Sequence, residues 1–198
     1  MNPIDRLSEI FTHFPGIGPR QAKRFVYYLL TRNHDTLDTL TRAIEDLKRE
    51  TSQCSECMRY FNGTTKLCPV CADKSRDKSV LMIVPRDADF EQMERSGSYK
   101  GLYFILGGSL PILEKEPEKR IRIRELSRKV EKSKQDLKEI ILAMNANAEG
   151  ENTAEFIKEN FKTLSLPFST LGRGLSTGSE LEYADPETLK NALLHRTI

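Results

Sequence analysis

Two stretches of sequence, Cys54-Ser-Glu-Cys57 and Cys68-Pro-Val-Cys71, contain all four cysteines of this 198-residue chain and separate two regions of different character. Each Cys-x-x-Cys turn can present two thiolates to one tetrahedral ion, and the residues between the turns can fold back to bring the pairs together. Four protein ligands leave no coordination position for water, so the spacing predicts one structural zinc ion per chain rather than a catalytic one. Two redox dithiols or four buried cysteines are the alternatives. The predicted ligands are Cys54, Cys57, Cys68 and Cys71.

Apolar residues recur at helical spacing in three segments on the amino-terminal side of the cysteines. The first segment ends at the turn Pro15-Gly-Ile-Gly-Pro19. Pro19 suits the first turn of a second helix, because the N–H that it lacks would have no partner there. Asp35 is the expected cap of a third helix. The three apolar stripes are Ile4, Leu7, Ile10, Phe11 and Phe14; then Ala22, Phe25, Val26, Leu29 and Leu30; and then Leu37, Leu40, Ile44 and Leu47.

The hairpin between the first two helices has the features of a phosphate-binding site. Its two glycines let the backbone approach an anion, and the N–H groups at the start of the second helix point toward that anion. Two arginines four residues apart share one helix face with a lysine beside them, and no acidic residue occurs between Thr12 and His34. The hairpin resembles a helix-hairpin-helix motif, which binds the DNA backbone without reading sequence. An ordinary capped turn with solvated basic residues is the alternative. The predicted DNA contacts are Gly16, Gly18, Arg20, Lys23 and Arg24.

The region after the cysteines has another pattern, which begins with the continuous apolar run Val80-Leu-Met-Ile-Val84. Such a short run is typical of a strand that is buried on both faces. Similar runs alternate with helix-like segments, so a parallel α/β sheet is predicted. The other predicted strands are residues 102–106 and 139–144, and the predicted helices are residues 90–95, 119–132, 152–161 and 186–194.

A polar motif, Asn145-Ala-Asn147, directly follows the last predicted strand, at the edge where open α/β sheets place their sites. This region resembles the toprim domain of topoisomerases and primases. Active toprim domains hold magnesium with a glutamate after the first strand and an Asp-x-Asp pair at this later strand end. The matching positions here are Pro85, Asn145 and Asn147, which have no charge. The resemblance therefore implies a toprim fold that does not cleave DNA strands.

Two carboxylates near the first strand leave an enzymatic alternative open. Asp87 and Asp89 are the nearest remaining acids, and as substitute ligands they would make the chain a metal-dependent nuclease or a primase-like enzyme. In the other interpretation they cap and begin the next helix, where negative charge suits the helix dipole. We expect the second interpretation, and hence a protein that is not an enzyme.

Taken in order, the helix-hairpin-helix, the four-cysteine module, the toprim-like region and a glycine-containing tail resemble the bacterial RecR family of recombination mediators across nearly the whole chain. Apart from the cysteines, the resemblance is carried by residues 14–24, 97–107, 149–154 and 181–185. The chain departs from the family pattern at Pro85 and within residues 111–124, where Glu118-Lys-Arg-Ile-Arg-Ile123 replaces a loop like Asp-Gly-Ile-Gly-Pro.

The resemblance implies a multidomain protein of α plus α/β class. It divides the chain into a helix-hairpin-helix domain at residues 1–52, a zinc-finger module at 53–76, a Rossmann-like toprim domain at 77–173 and a C-terminal helical segment at 174–198. The family acts with RecO, and in some organisms RecF, to load RecA onto single-stranded DNA covered by single-strand-binding protein. Its members form ring-like homotetramers that encircle DNA. Glu149 or Glu151 would then contact RecO, while their alternative role is in the first turn of a helix.

Composition and charge limit the remaining functions. The net charge of +2 gives no global attraction to nucleic acid or membrane, so any attraction must be local. The basic residues of segment 115–134 are interleaved with glutamates, which fits a solvated helix face as well as a DNA track. The chain begins without the pattern of a secretion signal, and its longest uncharged stretch, residues 101–113, is too short to span a bilayer. We expect a cytoplasmic, nucleoid-associated protein without membrane contact.

Overall fold

A computed structural model describes residues 1–176 and 178–196, and the chain forms two compact units, Met1–Thr51 and Ser52–Ile198. Each unit has its own packing and is described by itself. Among the described helices, none is both long enough and apolar enough to cross a membrane. The four-part domain division expected from the sequence is finer than these two units, and its boundaries stay predictions.

The first unit consists of three helices, α1 (Pro3–Thr12), α2 (Pro19–Leu30) and α3 (His34–Glu50). Helix α1 begins after Asn2, whose side chain accepts a hydrogen bond from the N–H of Asp5 at 2.9 Å. Helix α2 begins after Gly18, with Pro19 in its first turn as the sequence predicts. Pro19 therefore acts as the sequence predicts, and Asn2 is a cap that the sequence analysis did not identify.

The cap of α3 differs from the prediction. Asn33, and not Asp35, is the N-cap: its backbone is extended and its side chain accepts a hydrogen bond from the N–H of Thr36 at 3.0 Å. Asp35 lies in the first turn of the helix, where its charge suits the helix dipole. The prediction was wrong because both residue types favour the N-cap, and the sequence does not show where the backbone leaves the helical conformation.

Helices α1 and α2 form a hairpin with a small apolar core. Ala22 and Val26, one turn apart on α2, are buried. The ring of Phe11 on α1 meets the ring of Phe25 on α2 edge to face, with the ring centroids 6.0 Å apart. These contacts fix the position of the glycine turn that connects the two helices.

The second unit contains a four-stranded parallel sheet, which confirms the α/β class predicted from the apolar runs. The strands are β1 (Thr51–Gln53), β2 (Tyr60–Asn62), β3 (Asp77–Val84), β4 (Gly101–Ile105), β5 (Glu139–Leu142) and β6 (Phe168–Thr170). The helices are α4 (Pro69–Ala72), α5 (Asp87–Ser96), α6 (Pro117–Arg120), α7 (Ile123–Ser133), α8 (Ala148–Asn160) and α9 (Pro186–Leu194), with a 3-10 helix at Leu181–Tyr183. The sheet order is β4-β3-β5-β6, and β1 and β2 form a separate pair.

Alternation along β3 builds two apolar layers, one on each face of the sheet. Leu81 and Ile83 pack with buried residues of α7 and α8 on one face. Met82 and Val84 lie on the other face, together with Phe90 of α5 and the buried cysteines. The cysteine module therefore belongs to the core of this unit and covers one face of its sheet.

The helix predicted at residues 119–132 is interrupted at Ile121 and Arg122, which separate α6 from α7. Ile121 has an extended backbone and a buried side chain. The N–H of Arg122 donates to the carbonyl of Leu106 at 2.8 Å. The backbone at this point bonds to the end of β4 instead of continuing the helix, and this long-range contact has no signal in the local sequence.

The loop after β4 is also fastened at its beginning. The N–H of Leu110 donates to Oγ1 of Thr153 on α8 at 2.8 Å. The side chain of Asn152 donates to the carbonyls of Leu110 and Pro111, each at 3.1 Å. Hydrogen bonds therefore attach both ends of the segment between Leu110 and Arg122 to the rest of the second unit.

Candidate metal centre and nucleic-acid interface

The fold brings the four predicted metal ligands together. The Sγ atoms of Cys54, Cys57, Cys68 and Cys71 all lie within 4.8 Å of one another. The Sγ atoms of Cys57 and Cys68 are 3.7 Å apart, while a tetrahedral ion with Zn–S bonds of about 2.3 Å needs S–S separations of about 3.8 Å. A disulfide would need about 2.05 Å. Four soft sulfur donors at this spacing fit a tetrahedral metal ion.

Backbone hydrogen bonds prepare these sulfurs for negative charge. The N–H of Cys68 donates to Sγ of Cys54 at 3.4 Å, and the N–H of Cys71 donates to Sγ of Cys68 at 3.5 Å. The hydrogen bond from the Cys57 thiol, followed by those from the other two cysteines, lowers the pKa of the Cys54 thiol. A thiolate is the form that binds metal, so these contacts favour the ligand state at Cys54, whereas hydrogen bonds among the cysteines and burial raise the pKa of Cys57 and of Cys71.

The cysteine module is attached to the sheet by hydrogen bonds beyond the cysteine side chains. The N–H of Ile105, at the end of β4, donates to the carbonyl of Cys57 at 2.8 Å. The guanidinium of Arg122 donates to the carbonyl of Met58 at 3.2 Å and to that of Ile105 at 3.1 Å. Hydrogen bonds therefore join the first cysteine turn directly to the edge strand of the sheet.

An ion pair that the sequence analysis did not identify joins the first cysteine turn to α7. A carboxylate oxygen of Glu56 lies 2.6 Å from Nζ of Lys129, and the Lys132 ammonium contacts its other oxygen. Burial alone would raise the pKa of Glu56, but the hydrogen bonds from Lys129 and Lys132 outweigh it and lower the pKa below its usual range. Two lysines three residues apart on one helix face were the signal for this contact.

The predicted DNA contacts lie together at the turn between α1 and α2. Gly16 has a φ of 75°, in the left-handed region that only glycine adopts without strain. Gly18 is the N-cap of α2, and no acidic residue occupies the first turn of this helix. The first N–H groups of a helix have no acceptor within the helix, so they remain available to an anion. Arg20, Lys23 and Arg24 are exposed on the same helix.

The fold brings one negative charge to this turn that the sequence did not predict. Nζ of Lys23 lies 3.9 Å from a carboxylate oxygen of Asp5 on α1, a residue outside the acid-free stretch of sequence. Arg24 donates to the side-chain oxygen of Gln21 at 3.4 Å. Among the ion pairs of the described residues, none involves Arg20 or Arg24. The two arginines are therefore the strongest candidates for phosphate contacts, and Lys23 is a weaker one.

The carboxylates that could replace the toprim metal ligands are engaged in local structure. Asp89 accepts a hydrogen bond from the N–H of Arg86 at 3.0 Å at the start of α5. Asp87 accepts one from the N–H of Tyr60 at 2.8 Å, which joins α5 to the cysteine module. Among the described residues, the four cysteines form the only cluster of three or more metal-ligand side chains.

The two asparagines at the matching strand end serve the turn into α8. Asn147 is the N-cap of this helix, and its side chain accepts a hydrogen bond from the N–H of Gly150 at 2.8 Å. A Cβ atom at Gly150 would lie only 2.0 Å from the carbonyl oxygen of Asn145, so the turn requires glycine at this position. The side chain of Asn147 therefore has a structural role, while Asn145 contributes its backbone to the turn.

The predicted partner contacts occupy the first turn of α8. Glu149 is exposed, and Glu151 accepts a hydrogen bond from Arg173 at 2.7 Å. Arg173 also lies 3.5 Å from a carboxylate oxygen of Glu187 on α9. Arg173 thus connects α9 to α8 through Glu151, whereas the side chain of Glu149 makes no hydrogen bond or ion pair with the described residues.

The basic residues of segment 115–134 are mostly paired with nearby acids. Arg124 contacts Glu118, and a guanidinium nitrogen of Arg128 lies 3.3 Å from a carboxylate oxygen of Glu125. These contacts compensate charge along the outer surface of α7. The pattern favours the solvated helix face over the DNA track.

Comparison with known proteins agrees with this arrangement. Residues 4–48 match the family described as "RecR, helix-hairpin-helix", residues 79–171 match "Toprim domain", and residues 174–197 match "RecR, C-terminal". The chain is similar to the recombination protein RecR of Staphylococcus saprophyticus, with 39% identity over 98% of this chain and 96% of that protein. It is also similar to the recombination protein RecR of Staphylococcus aureus strain JH9, again with 39% identity over 98% of this chain and 96% of the relative. These matches confirm the resemblance predicted from the sequence.

Proposed function

Since this chain belongs to the RecR family of recombination proteins, we propose that it is a DNA-binding mediator of recombinational repair that catalyses no reaction itself. The main support for this proposal is the turn between α1 and α2 in the first unit. A left-handed glycine, the amino end of α2 and two arginines outside the ion pairs of the described residues converge there. Such a combination binds an anion that approaches the backbone closely.

The anion is a phosphate of the DNA backbone. N–H groups at the start of α2 donate to a phosphate oxygen, while Arg20 and Arg24 add charge-assisted hydrogen bonds from the same helix face. Phosphates are the same in every sequence, so this contact positions the protein without selecting bases. Lys23 contributes less, because Asp5 already lies 3.9 Å from its ammonium group.

We propose zinc as the metal of the four-cysteine site. Four sulfur ligands at tetrahedral spacing suit zinc, and cysteines would occupy all four of its coordination positions. When bound, the ion holds the two cysteine turns together and contributes binding energy to folding. The cysteines share the core with Met82 and Val84 of the sheet, so this energy supports the second unit as a whole.

The partners follow from family membership and remain proposals. We propose that the chain acts with RecO, and in some organisms RecF, in the loading of RecA onto single-stranded DNA at the nucleoid in the cytoplasm. Glu149 is the favoured contact to RecO because it is exposed at the start of α8, with Glu151 beside it. A homotetrameric ring would place several copies of the hairpin around one DNA molecule. Multiple weak phosphate contacts would then act together.

Salt-dependent DNA binding tests the role of the hairpin. The double variant Arg20→Ala with Arg24→Ala should weaken binding to every DNA sequence by a similar factor and flatten the dependence of affinity on salt. The matched control is Arg42→Ala with Lys48→Ala, which removes the same charge from exposed positions of α3. Equal losses in both double variants would show that only overall charge matters. Unchanged affinity in the first would contradict the proposal.

A further inference from the structure

The face of α2 that points away from its buried residues carries more than two arginines. At 3.6 residues per turn, positions 20, 24, 27 and 28 lie on the side opposite to Ala22 and Val26. Tyrosines occupy the last two of these positions, and Tyr27 is 53% and Tyr28 55% exposed. The solvent face of a helix is ordinarily polar, so adjacent exposed aromatic rings in line with basic residues indicate a binding surface.

Arginines flank the second of these tyrosines along the chain. The guanidinium carbon of Arg32 lies 4.1 Å from the centroid of the Tyr28 ring, which is a cation–π distance. Arg24 lies about one helical turn before Tyr28 on α2, whereas Arg32 follows the end of the helix at Leu30 and reaches the ring from there. Arg32 covers one side of the ring, and more than half of the Tyr28 surface stays accessible.

We propose that Tyr28, together with Arg32 and Tyr27, forms a stacking site for an unpaired nucleobase, so that this face binds single-stranded DNA in preference to duplex. Aromatic side chains beside a basic groove hold unstacked bases, and they do so for any sequence because every base has a π face. Bases within a duplex stack on each other and do not reach the ring. The inference rests on the proposed function, because Arg20 and Arg24 hold the backbone of the same strand.

The charge of this surface favours nucleic acid over protein. Residues 13–33 contain Arg20, Lys23, Arg24 and Arg32 and no aspartate or glutamate. A symmetric contact with a second copy through the same face would bring arginines against arginines, which is unfavourable. A phosphate chain supplies the opposite charge, and its bases supply flat partners for the tyrosines.

Binding measurements on two forms of DNA test the stacking site. Fluorescence anisotropy with the full chain compares a labelled oligothymidylate with a duplex of the same length. Tyr28→Leu, which keeps apolar bulk but removes the ring, should weaken binding to the single strand about tenfold and leave duplex binding nearly unchanged. Tyr28→Phe should bind as the natural protein does. Tyr60→Leu is the matched control, since Tyr60 is 54% exposed in the second unit.

Other results of these binding measurements would overturn the stacking site. No loss on the single strand, or an equal loss on both DNA forms, would overturn the stacking site. A change of mass in solution for Tyr28→Leu would assign this face to contacts between copies, and would overturn it as well. If Arg20→Ala with Arg24→Ala abolishes binding while Tyr28→Leu has no effect, the proposed function stands and the stacking site alone fails. Circular dichroism confirms that each variant is folded.

Discussion

The ion pair between the first cysteine turn and α7 allows a quantitative prediction. Glu56→Gln removes the carboxylate that lies 2.6 Å from Nζ of Lys129, an ammonium group whose side chain is only 10% exposed. Breaking a buried pair costs about 3–5 kcal/mol, whereas an exposed pair contributes about 0.2–1 kcal/mol. Glu56 is 22% exposed, and the amide can still accept one hydrogen bond. We therefore expect Glu56→Gln to lower the free energy of unfolding by about 2 kcal/mol.

A double-mutant cycle isolates the interaction from other effects of each substitution. Urea unfolding of the full chain is measured for Glu56→Gln, for Lys129→Met and for the double variant, and the coupling energy should be about 1–2 kcal/mol. The control cycle uses Glu125→Gln and Arg128→Met, an exposed pair 3.3 Å apart on α7, with an expected coupling below about 0.5 kcal/mol. A coupling for Glu56 and Lys129 no larger than that of the control would refute the argument from burial.

Three further predictions concern the metal, the absence of catalysis and one buried hydroxyl. Elemental analysis should find one zinc per chain, and chelation should unfold the second unit; a folded, zinc-free protein would contradict the tetrahedral site. Nuclease assays with Mg²⁺ or Mn²⁺ should show no cleavage, whereas cleavage that disappears in Asp87→Ala or Asp89→Ala would establish the enzymatic alternative. The hydroxyl of Tyr103 is buried without a hydrogen-bond partner among the described residues, and burial raises its pKa to about 12. The fold therefore favours the neutral form of Tyr103. The contribution of this preference to the free energy of unfolding is complete below the usual tyrosine pKa of about 10, and it is lost as pH rises through the raised pKa of the folded state. Chemical unfolding should show that Tyr103→Phe is not destabilising at neutral pH and that its advantage over the natural protein grows in alkali; a loss of more than about 1 kcal/mol would reveal a missing partner.

Features that depend on neighbouring residues were predictable from the sequence. Pro19 and the two glycines before it define the hairpin because their backbone preferences act locally. The apolar run at β3 identified a buried central strand because it lacks polar positions. The spacing of the cysteines likewise indicated that they would meet, since each pair needs only a single turn.

Features that depend on distant residues were not predictable. The three-residue strand β6 forms because it pairs with β5, not because its own sequence favours a strand. The break before α7 comes from the bond between Arg122 and the end of β4, and the local pattern alone favours a continuous helix. Asp5 likewise approaches Lys23 because α1 packs on α2. The absence of acidic residues near Lys23 in the sequence did not indicate this contact.

The loop between Leu110 and Arg122 is fastened at both ends, which makes it a suitable place for an inserted segment. Its ends bond to Thr153 and to Leu106, just after β4, so changes at residues 111–120 need not reach the sheet, whereas Ile121 is buried in the core. The departure from the family pattern that we expect at residues 111–124 falls within this loop and just beyond it. We expect the loop to tolerate insertion of a peptide tag or a fluorescent label with little change in folding.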